Sequence, residues 1–228
     1  MKAVAFTRYL PVNDPESFFD VDLPVPVPTG RDLLVAVHAV AVNPVDTKVR
    51  APKDKVEPAP RVIGWDASGV VQAVGPDVTL FKVGDPVYYA GDLTRSGSYA
   101  QFQLVDERIV GHKPTSLSHA EAAALPLTTI TAYESFFDRL GIDRNGGNEG
   151  ESILIIGASG GVGSIGIQLA KRAGLKVIAT ASREETVAWV KELGADFVVN
   201  HREPLAEQVR GLGFQYVDQI AIFNDMRH

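Results

Sequence analysis

The sequence predicts a protein of mixed class, in which a small β-barrel domain precedes an α/β domain built on a parallel sheet. Thirteen of its 14 prolines lie between Pro11 and Pro126. In that half, short β-branched runs alternate with turn residues, which is typical of a barrel. From Ser152 onward, apolar strands alternate with helical spacing, which indicates β-α-β units with right-handed crossovers. The two predicted domains span residues 1–125 and 126–228.

Five strands are expected in the first domain. The N-terminal run "MKAVAFTRYLP" alternates apolar and polar residues until it meets a proline. Further runs are rich in Val, Ala and aromatic residues, and Gly, Pro or Asp residues separate them, as turns separate strands. These runs are "RDLLVAVHAVAVNP", "GVVQAVGPD", "FKVGDPVYYAGD" and "YAQFQLVDERIV".

A helical region is expected after the last of these strands. The stretch "SHAE" matches a capping box, in which Ser118 caps the helix and Glu121 reaches back to it. We expect this helix to break at Pro126, to resume over "LTTITAYESFFDRL" and to stop at Gly141.

The second domain is expected to contain four strands with helices between them. The strands are "SILIIG", "KVIATA", "DFVVN" and "YVDQIAIF". The helices run from about Val162 to Ala173, from about Arg183 to Leu193, and from near Pro204. This order predicts four neighbouring parallel strands.

The composition excludes several classes of protein. The chain has 228 residues, 45% of them hydrophobic, and a net charge of −6, which argues against nucleic-acid and anionic-membrane partners. It contains no cysteine, so disulfides and thiolate zinc sites are excluded. The longest apolar run, "LLVAVHAVAV", is too short to span a membrane. We expect a soluble, cytoplasmic protein.

The glycines after the strand "SILIIG" predict a dinucleotide site. Gly157, Gly160 and Gly163 are spaced three residues apart between a strand and a helix. Such glycines permit a tight turn and let a pyrophosphate approach the helix N-terminus. The cofactor contacts expected here come from Ser159, Gly160, Gly161, Val162 and Gly163. The alternative is a strand–helix turn that only packs tightly.

The end of the second strand predicts which dinucleotide binds. An NAD site usually carries an acidic residue there. This chain instead has Ser182 and Arg183, whose hydroxyl and guanidinium suit the 2′-phosphate of NADP(H). These residues also have a purely structural interpretation, in which Ser182 and Glu185 form a capping box and Arg183 is an exposed residue of the first helical turn. The two interpretations can hold together.

Motifs along nearly the whole chain resemble the medium-chain dehydrogenase/reductase superfamily. They are "AVNPVDTKVR", "GWDASGVV", "FKVGDPVYYAG", "GSYAQFQLVDERIV", "AEAAALPLTTITAYE" and "GASGGVG". The resemblance is greatest to the quinone-oxidoreductase-like branch, often called zinc-type alcohol dehydrogenase-like. It implies a GroES-like catalytic domain, a Rossmann domain and a cofactor cleft between them. It also implies that Asn43 lies near the nicotinamide, Thr131 near the ribose and phosphate, and His201 beside the adenosine.

The residues at the metal position depart from the metal-dependent members of that superfamily. Those members have a cysteine where Asn43 stands and Gly-His-Glu where "GWD" (64–66) stands. Asp66 alone cannot hold a catalytic zinc, which needs three protein ligands. His38 lies on an apolar strand and is expected to be a core histidine. We therefore predict a protein without bound metal.

Without zinc, the resemblance implies hydride transfer to a quinone or an α,β-unsaturated carbonyl, because the substrate oxygen then needs only a hydrogen-bond donor. Asn43 is the candidate catalytic residue, although before Pro44 it also suits a turn. Tyr88, Tyr89 and Tyr99 are candidate proton donors by residue type alone. The alternatives are a non-catalytic module that binds a dinucleotide or a protein, and a zinc-dependent alcohol dehydrogenase.

The C-terminus predicts an incomplete Rossmann domain. Members of the superfamily continue beyond the fourth strand, whereas this sequence stops just after "YVDQIAIF". That strand is then an unprotected edge, which favours pairing with another chain. We expect a homo-oligomer or a marginally stable chain, and weak turnover by the 228-residue chain alone.

Overall fold

A computed structural model describes residues 1–224. The contacts divide the chain into two compact units, Met1–Leu127 and Thr128–His228. The predicted boundary lies between residues 125 and 126. Each unit has its own sheets and its own apolar core.

The first unit consists of two antiparallel sheets and two short helices. One sheet has three strands in the order β2-β1-β4, and the other has five in the order β7-β3-β5-β6-β8. The strands are β1 (Lys2–Tyr9), β2 (Phe19–Asp22), β3 (Asp32–Ala41), β4 (Lys53–Arg61), β5 (Asp66–Val74), β6 (Pro86–Ala90), β7 (Phe102–Asp106) and β8 (Val110–His112). The helices are α1 (Pro44–Arg50) and α2 (His119–Ala123), and residues Glu107–Ile109 form one 3₁₀ turn.

These sheets form the GroES-like part of the predicted fold, but four elements were not expected. They are β2, α1, β4 and β8, the last of which is separated from β7 by the 3₁₀ turn. Strand β4 contains Pro58 and Pro60, which cannot donate hydrogen bonds to a neighbouring strand. It lies at the edge of its sheet, beside β1 alone, where prolines are tolerated.

Alternating side chains of the five-stranded sheet form the main core of the first unit. Leu33, Val35, Val71 and Val87 are completely buried there. A second cluster, made of Phe6, Tyr9, Ile63 and Trp65, lies between α1 and the three-stranded sheet. The strand β5 therefore begins beside one core and runs into the other.

The second unit has the predicted Rossmann topology. Its four strands are parallel, as predicted, and their order β11-β10-β9-β12 is the 3-2-1-4 order of a doubly wound sheet. The strands are β9 (Ser152–Ile156), β10 (Lys176–Thr180), β11 (Phe197–Val199) and β12 (Gln219–Ile222). The helices are α3 (Pro126–Tyr133), α4 (Gly161–Arg172), α5 (Glu184–Glu192) and α6 (Leu205–Gly211). Among residues 1–224, β12 has a strand partner on one side only.

One turn of π-helix extends α3. It covers Glu134–Arg139, and the N–H of Leu140 donates to the carbonyl of Ser135 at 3.0 Å. This five-residue spacing is wider than the four-residue spacing of an α-helix. The wide turn places Phe136 in the core against the face of α4. The helical segment ends at Arg139 and is capped by Leu140, two residues before Gly141, where it was expected to stop.

Membrane-spanning helices are absent from the described part of the chain. None of the helices within residues 1–224 is long and apolar enough to cross a bilayer.

Candidate functional site

The predicted dinucleotide loop joins β9 to α4. Gly157 follows β9 with φ +78°, a conformation that favours glycine. Its N–H donates to the hydroxyl of Thr180 at the end of β10, at 3.1 Å. Gly160 is the residue that caps α4. The loop is thus fixed between the ends of two neighbouring strands.

Gly163 permits the close approach of α4 to this loop. A Cβ atom at residue 163 would lie 2.4 Å from the carbonyl oxygen of Gly157 and 2.5 Å from the Cα of Ala158. No larger residue fits without a shift of the backbone. The glycine spacing therefore has a steric cause in the fold itself, independent of any ligand.

The same loop leaves backbone donors for an anion. The first hydrogen bond within the helix runs from the N–H of Ser164 to the carbonyl of Gly160, at 2.8 Å. The N–H groups of Gly161, Val162 and Gly163 precede it and so have no acceptor in the helix. Together with the positive end of the helix dipole, they suit a pyrophosphate. Ser159 lies in the turn before them.

Helix α3 contacts the glycine loop through Thr128. A Cβ atom at Gly161 would lie 3.1 Å from the Cγ2 of Thr128. The predicted ribose contact, Thr131, lies one turn further along α3, where its carbonyl accepts a hydrogen bond from Ser135 Oγ at 2.6 Å. Thr128 was not among the predicted cofactor contacts. It could have been predicted from Thr131, because residues three apart lie on the same face of a helix.

Two predicted adenosine-side residues lie together. Ser182 follows β10 and His201 follows β11, and Ser182 Oγ is 3.4 Å from His201 Nε2. The Arg183 guanidinium is exposed and pairs with Glu185, with 2.6 Å between Nε and Oε1. A cavity of about 520 Å³ beside them also has Lys191 in its wall. This edge of the sheet therefore combines hydroxyl, imidazole and cationic groups, with the carboxylates of Glu184 and Asp196 in the same cavity wall.

The predicted capping box of Ser182 with Glu185 is wrong. The residue that caps α5 is Arg183, and its backbone N–H faces the hydroxyl of Thr186 at 3.3 Å. Glu185 instead pairs with the Arg183 side chain. The helix begins one residue later than the pattern suggested, which leaves the Ser182 hydroxyl beside His201.

Asn43 lies in a buried polar cluster of the first unit. It caps α1, and its backbone N–H donates to Asp46 Oδ2 at 2.7 Å. Its side-chain nitrogen donates to Asp66 Oδ2 at 2.8 Å. The other oxygen of Asp66 accepts the N–H of Leu127 at 2.8 Å. Asn43 is thus both a helix cap and a side chain held in one orientation.

The Asp66 carboxylate is completely buried. Burial raises the pKa of Asp66 to about 6, and the nearby Asp46 charge acts in the same direction. The hydrogen bonds from Asn43 and Leu127 oppose this rise in pKa. Trp65 beside it packs into the apolar cluster with Phe6 and is itself buried.

These residues do not fit a catalytic zinc. At the position of the metal, the chain offers one carboxylate, one amide and one indole, and the carboxylate already accepts two hydrogen bonds. Zinc requires three protein ligands of the Cys, His, Asp or Glu type. Within residues 1–224, no group of three or more such side chains is placed to hold a metal ion.

The histidines only partly agree with the sequence analysis. His38 was predicted to be a core residue, but it is exposed and contacts the His119 ring edge-to-face, with 4.6 Å between ring centres. The reason is that β3 alternates, so that His38 points out of the sheet while Val35 points in. His119 Nδ1 lies 2.8 Å from Ser68 Oγ. His228 lies outside the described residues.

The three candidate tyrosines differ in their surroundings. Tyr89 is buried, its hydroxyl donates to Gln103 Oε1 at 3.0 Å, and burial raises its pKa. It is a core residue rather than a proton donor. Tyr88 is half-buried on β6. The Tyr99 hydroxyl is also buried, and burial together with the charge of Asp46 raises its pKa.

Two family models match the chain. The alcohol dehydrogenase GroES-like domain matches residues 29–126, and the zinc-binding dehydrogenase model matches residues 161–221. Each match falls within one of the two structural units.

Curated relatives extend the similarity over most of the chain. A zinc-type alcohol dehydrogenase-like protein of Staphylococcus aureus strain MSSA476 is 50% identical over 96% of this chain and 65% of its own length. A 2-methylene-furan-3-one reductase of Solanum lycopersicum is 40% identical over 88% of this chain and 52% of its own. Human quinone oxidoreductase is 38% identical over 80% and 54%. This chain thus spans between half and two thirds of these proteins.

Solved structures agree with the fold. A Rhizobium etli protein assigned as a zinc-dependent alcohol dehydrogenase superposes with a TM-score of 0.93 at 53% identity, covering 99% of this chain and 66% of that one. An NAD-dependent alcohol dehydrogenase gives 0.83 at 35%, covering 96% and 70%. Escherichia coli quinone oxidoreductase in complex with NADPH gives 0.76 at 28%, covering 93% and 63%.

Proposed function

Because this chain belongs to the medium-chain dehydrogenase/reductase superfamily, we propose that it acts as a zinc-independent, NADPH-dependent oxidoreductase. Its proposed substrates are small quinones or α,β-unsaturated carbonyls. The relatives named as quinone oxidoreductase and 2-methylene-furan-3-one reductase support this choice of substrate class. Self-association into a homo-oligomer and a cytoplasmic location stay predictions.

The observation that carries the proposal is the hydrogen bond between Asn43 and Asp66. It occupies the position at which metal-dependent members hold zinc, and with the N–H of Leu127 it gives each oxygen of the Asp66 carboxylate a hydrogen-bond donor. Polarisation of an alcohol by a metal is therefore not expected. Reduction of an activated double bond needs only a hydrogen-bond donor at the substrate oxygen.

The residues proposed to hold NADPH lie in the second unit. Backbone N–H groups of residues 161–163 would bind the pyrophosphate, and Ser182 and Arg183 the 2′-phosphate. Thr131 and His201 would contact the ribose and adenosine sides. When bound, NADPH supplies the hydride. The chain's part is to orient the cofactor, and we assign Asn43 to orient the reacting groups, with Asp66 fixing its amide.

The preference for NADPH over NADH rests on charge. The Arg183 guanidinium and the Ser182 hydroxyl suit a phosphate, whereas an NAD site usually has a carboxylate in this place. The quinone oxidoreductase structure with NADPH supports this choice. The superposition on an NAD-dependent enzyme supports the opposite one, so the two cofactors must be compared directly.

The test combines binding with turnover. NADPH affinity is measured by fluorescence titration. Oxidation of NADPH is followed with phenanthrenequinone or methyl vinyl ketone as the acceptor. Alcohol oxidation is assayed separately, as reduction of NADP⁺ by ethanol. We expect NADPH binding and quinone-dependent oxidation that a chelator does not affect. Asn43→Ala should reduce turnover, and Asp54→Ala, on exposed β4, should not. Binding without turnover would instead indicate a non-catalytic module, and chelator-sensitive ethanol oxidation would indicate a zinc enzyme.

A further inference from the structure

A second cavity lies in the first unit, along the buried face of α1. Its volume is about 600 Å³, which is within the size range of small-molecule pockets. Most of its wall is apolar, with Phe18, Ile63 and Pro52 among the lining side chains. Five lining residues have polar side chains, and three of them, Asp46, Arg50 and Tyr99, each have a buried polar atom without a hydrogen bond within the described residues. The other two are Asn13 and Thr47.

Asp46 leaves one oxygen of a buried carboxylate unused. The residue is 3% exposed, and its Oδ2 accepts the backbone N–H of Asn43 at 2.7 Å. Its Oδ1 has no hydrogen-bond partner within the described residues. A buried carboxylate oxygen without a donor is costly, so this atom favours a ligand that donates a hydrogen bond.

Arg50 leaves one N–H unused in the same wall. It is 6% exposed and ties the loop after β1 to α1, because its two terminal nitrogens donate to the carbonyls of Leu10 and Ser17. Its guanidinium also lies 4.8 Å from the ring centre of Phe18. The remaining group, Nε–H, has no acceptor among residues 1–224. It favours a ligand that accepts a hydrogen bond.

Tyr99 adds a hydroxyl group that can either donate or accept a hydrogen bond. Burial and the neighbouring Asp46 carboxylate, which lies within hydrogen-bonding reach of the hydroxyl, raise the pKa of Tyr99, yet the hydroxyl makes no hydrogen bond of good geometry with any described residue. A raised pKa keeps the hydroxyl neutral. It can therefore donate to a ligand oxygen or accept from a ligand hydroxyl.

We propose that this cavity binds a neutral, mainly apolar molecule that carries a hydroxyl group, of which phenols are the simplest members. A ligand hydroxyl carries both a donor, which suits Asp46 Oδ1, and an acceptor, which suits Arg50 Nε–H or the Tyr99 hydroxyl. A carboxylate ligand would face the Asp46 charge, and a cation would face the guanidinium of Arg50. The apolar wall accounts for the body of the molecule. The proposal does not depend on the redox function proposed above.

The test is an NMR titration of the full chain with phenol, toluene and benzoate. The chain has two tryptophans, so the indole N–H signals of Trp65 and Trp189 are readily distinguished. Trp65 packs in the same cluster as Tyr99, whereas Trp189 lies in the second unit and serves as the internal reference. We expect saturable shifts of the Trp65 signal with phenol, weaker binding of toluene and none of benzoate.

Variants separate the hydroxyl contact from the apolar space. Tyr99→Phe should weaken phenol about two- to tenfold, the usual worth of one hydrogen bond, and leave toluene unchanged. Tyr216→Phe, the same change on the exposed surface of the second unit, should leave both unchanged. Ala51→Trp, at the cavity wall, should abolish binding of both ligands. Equal affinities for phenol and toluene, no effect of Tyr99→Phe, or no binding at all would each overturn the proposal.

Discussion

The side chain of Asn43 donates to the carboxylate of Asp66 across 2.8 Å, although 23 positions separate the two residues in the sequence. Asp66 also accepts the N–H of Leu127, 61 positions away. One buried carboxylate thus joins the start of α1, the start of β5 and the first turn of α3. The role of the Asp66 carboxylate can therefore be tested by measuring the stability of variants as well as their activity.

The first prediction concerns removal of this carboxylate. Asp66→Ala leaves the Asn43 amide and the Leu127 N–H without their acceptor in a buried place. We expect a loss of about 1–3 kcal/mol in the free energy of unfolding at neutral pH, because unpaired buried donors are costly. Urea denaturation measures it. Asp54→Ala, on the exposed face of β4, should change little, and equal losses for both variants would refute the role of the buried pair.

The second prediction follows from the raised pKa of Asp66. With a pKa of about 6 in the folded chain, this carboxyl binds a proton more readily folded than unfolded. Its contribution to stability is therefore largest below the unfolded pKa and falls as pH rises from about 4 to about 6. The stability difference between the wild type and Asp66→Ala should shrink by about 2–3 kcal/mol over that range.

Glu57 provides a control of opposite sign. Hydrogen bonds from Lys55, Tyr9 and Arg61 lower its pKa to about 2. Its contribution is present above the unfolded pKa and is lost as pH falls toward 2. The difference between the wild type and Glu57→Gln should therefore grow with rising pH. If both differences run in the same direction, the pKa assignment of Asp66 is wrong.

The third prediction uses two helical glycines. Gly163→Ala places a methyl group 2.4 Å from the Gly157 carbonyl, so we expect a loss of about 1–3 kcal/mol in stability and loss of NADPH binding. Gly211→Ala, at the end of α6, meets nothing within 4 Å. It should be neutral or stabilise by up to about 1 kcal/mol. Thermal unfolding and NADPH titration of both variants show whether the added methyl group is harmful only where the glycine is closely packed.

The fourth prediction concerns the choice of cofactor. Arg183→Ala should weaken NADPH by about 1.5–3 kcal/mol and leave NADH nearly unchanged, since only NADPH carries the 2′-phosphate. Glu185→Gln should tighten NADPH, because the Arg183 guanidinium now pairs with the Glu185 carboxylate at 2.6 Å. Exposed ion pairs of this kind contribute little to stability, so the Arg183 guanidinium can exchange the Glu185 carboxylate for another anion. Equal effects of Arg183→Ala on both cofactors would leave Arg183 as a surface residue.

The fifth prediction is that the purified protein contains no stoichiometric zinc. Asn43, Trp65 and Asp66 cannot supply three zinc ligands. Elemental analysis after dialysis, with and without added zinc, measures the content. One zinc per chain, whose removal lowers activity or stability, would contradict the prediction.

Local patterns were enough to predict the second unit. The turn from β9 to α4 follows from glycine spacing between an apolar run and a helical run, and the parallel direction of the four strands follows from their alternation with helices. Strands β9, β10 and β11 pair in the order in which they follow along the chain, as Ile153 does with Val177, whereas the pairing of β12 with β9 follows only from the doubly wound order. The start of α5, in the polar segment after β10, was harder to predict, because either Ser182 or Arg183 could be the residue that caps the helix.

The first unit was less predictable because its site depends on distant pairs. No local pattern indicates that Asp66 meets Asn43, or that β4, with two prolines, pairs with β1. The edge-to-face contact of His38 with His119 joins residues 81 positions apart. Such contacts are decided by the packing of whole sheets, and each residue on its own suits a turn, a surface or a core.

The wide turn at Glu134–Arg139 has a consequence for how this chain is aligned with others. A π turn holds one residue more than the α turn it replaces, so it accommodates a single insertion without breaking the helix. A relative that lacks one residue here would form a regular α-helix, and the gap belongs between positions 134 and 140. If the gap is placed elsewhere, Phe136 is matched with a residue on the wrong face of the helix. Conversely, deletion of one residue within this turn is the change in length that α3 should tolerate best.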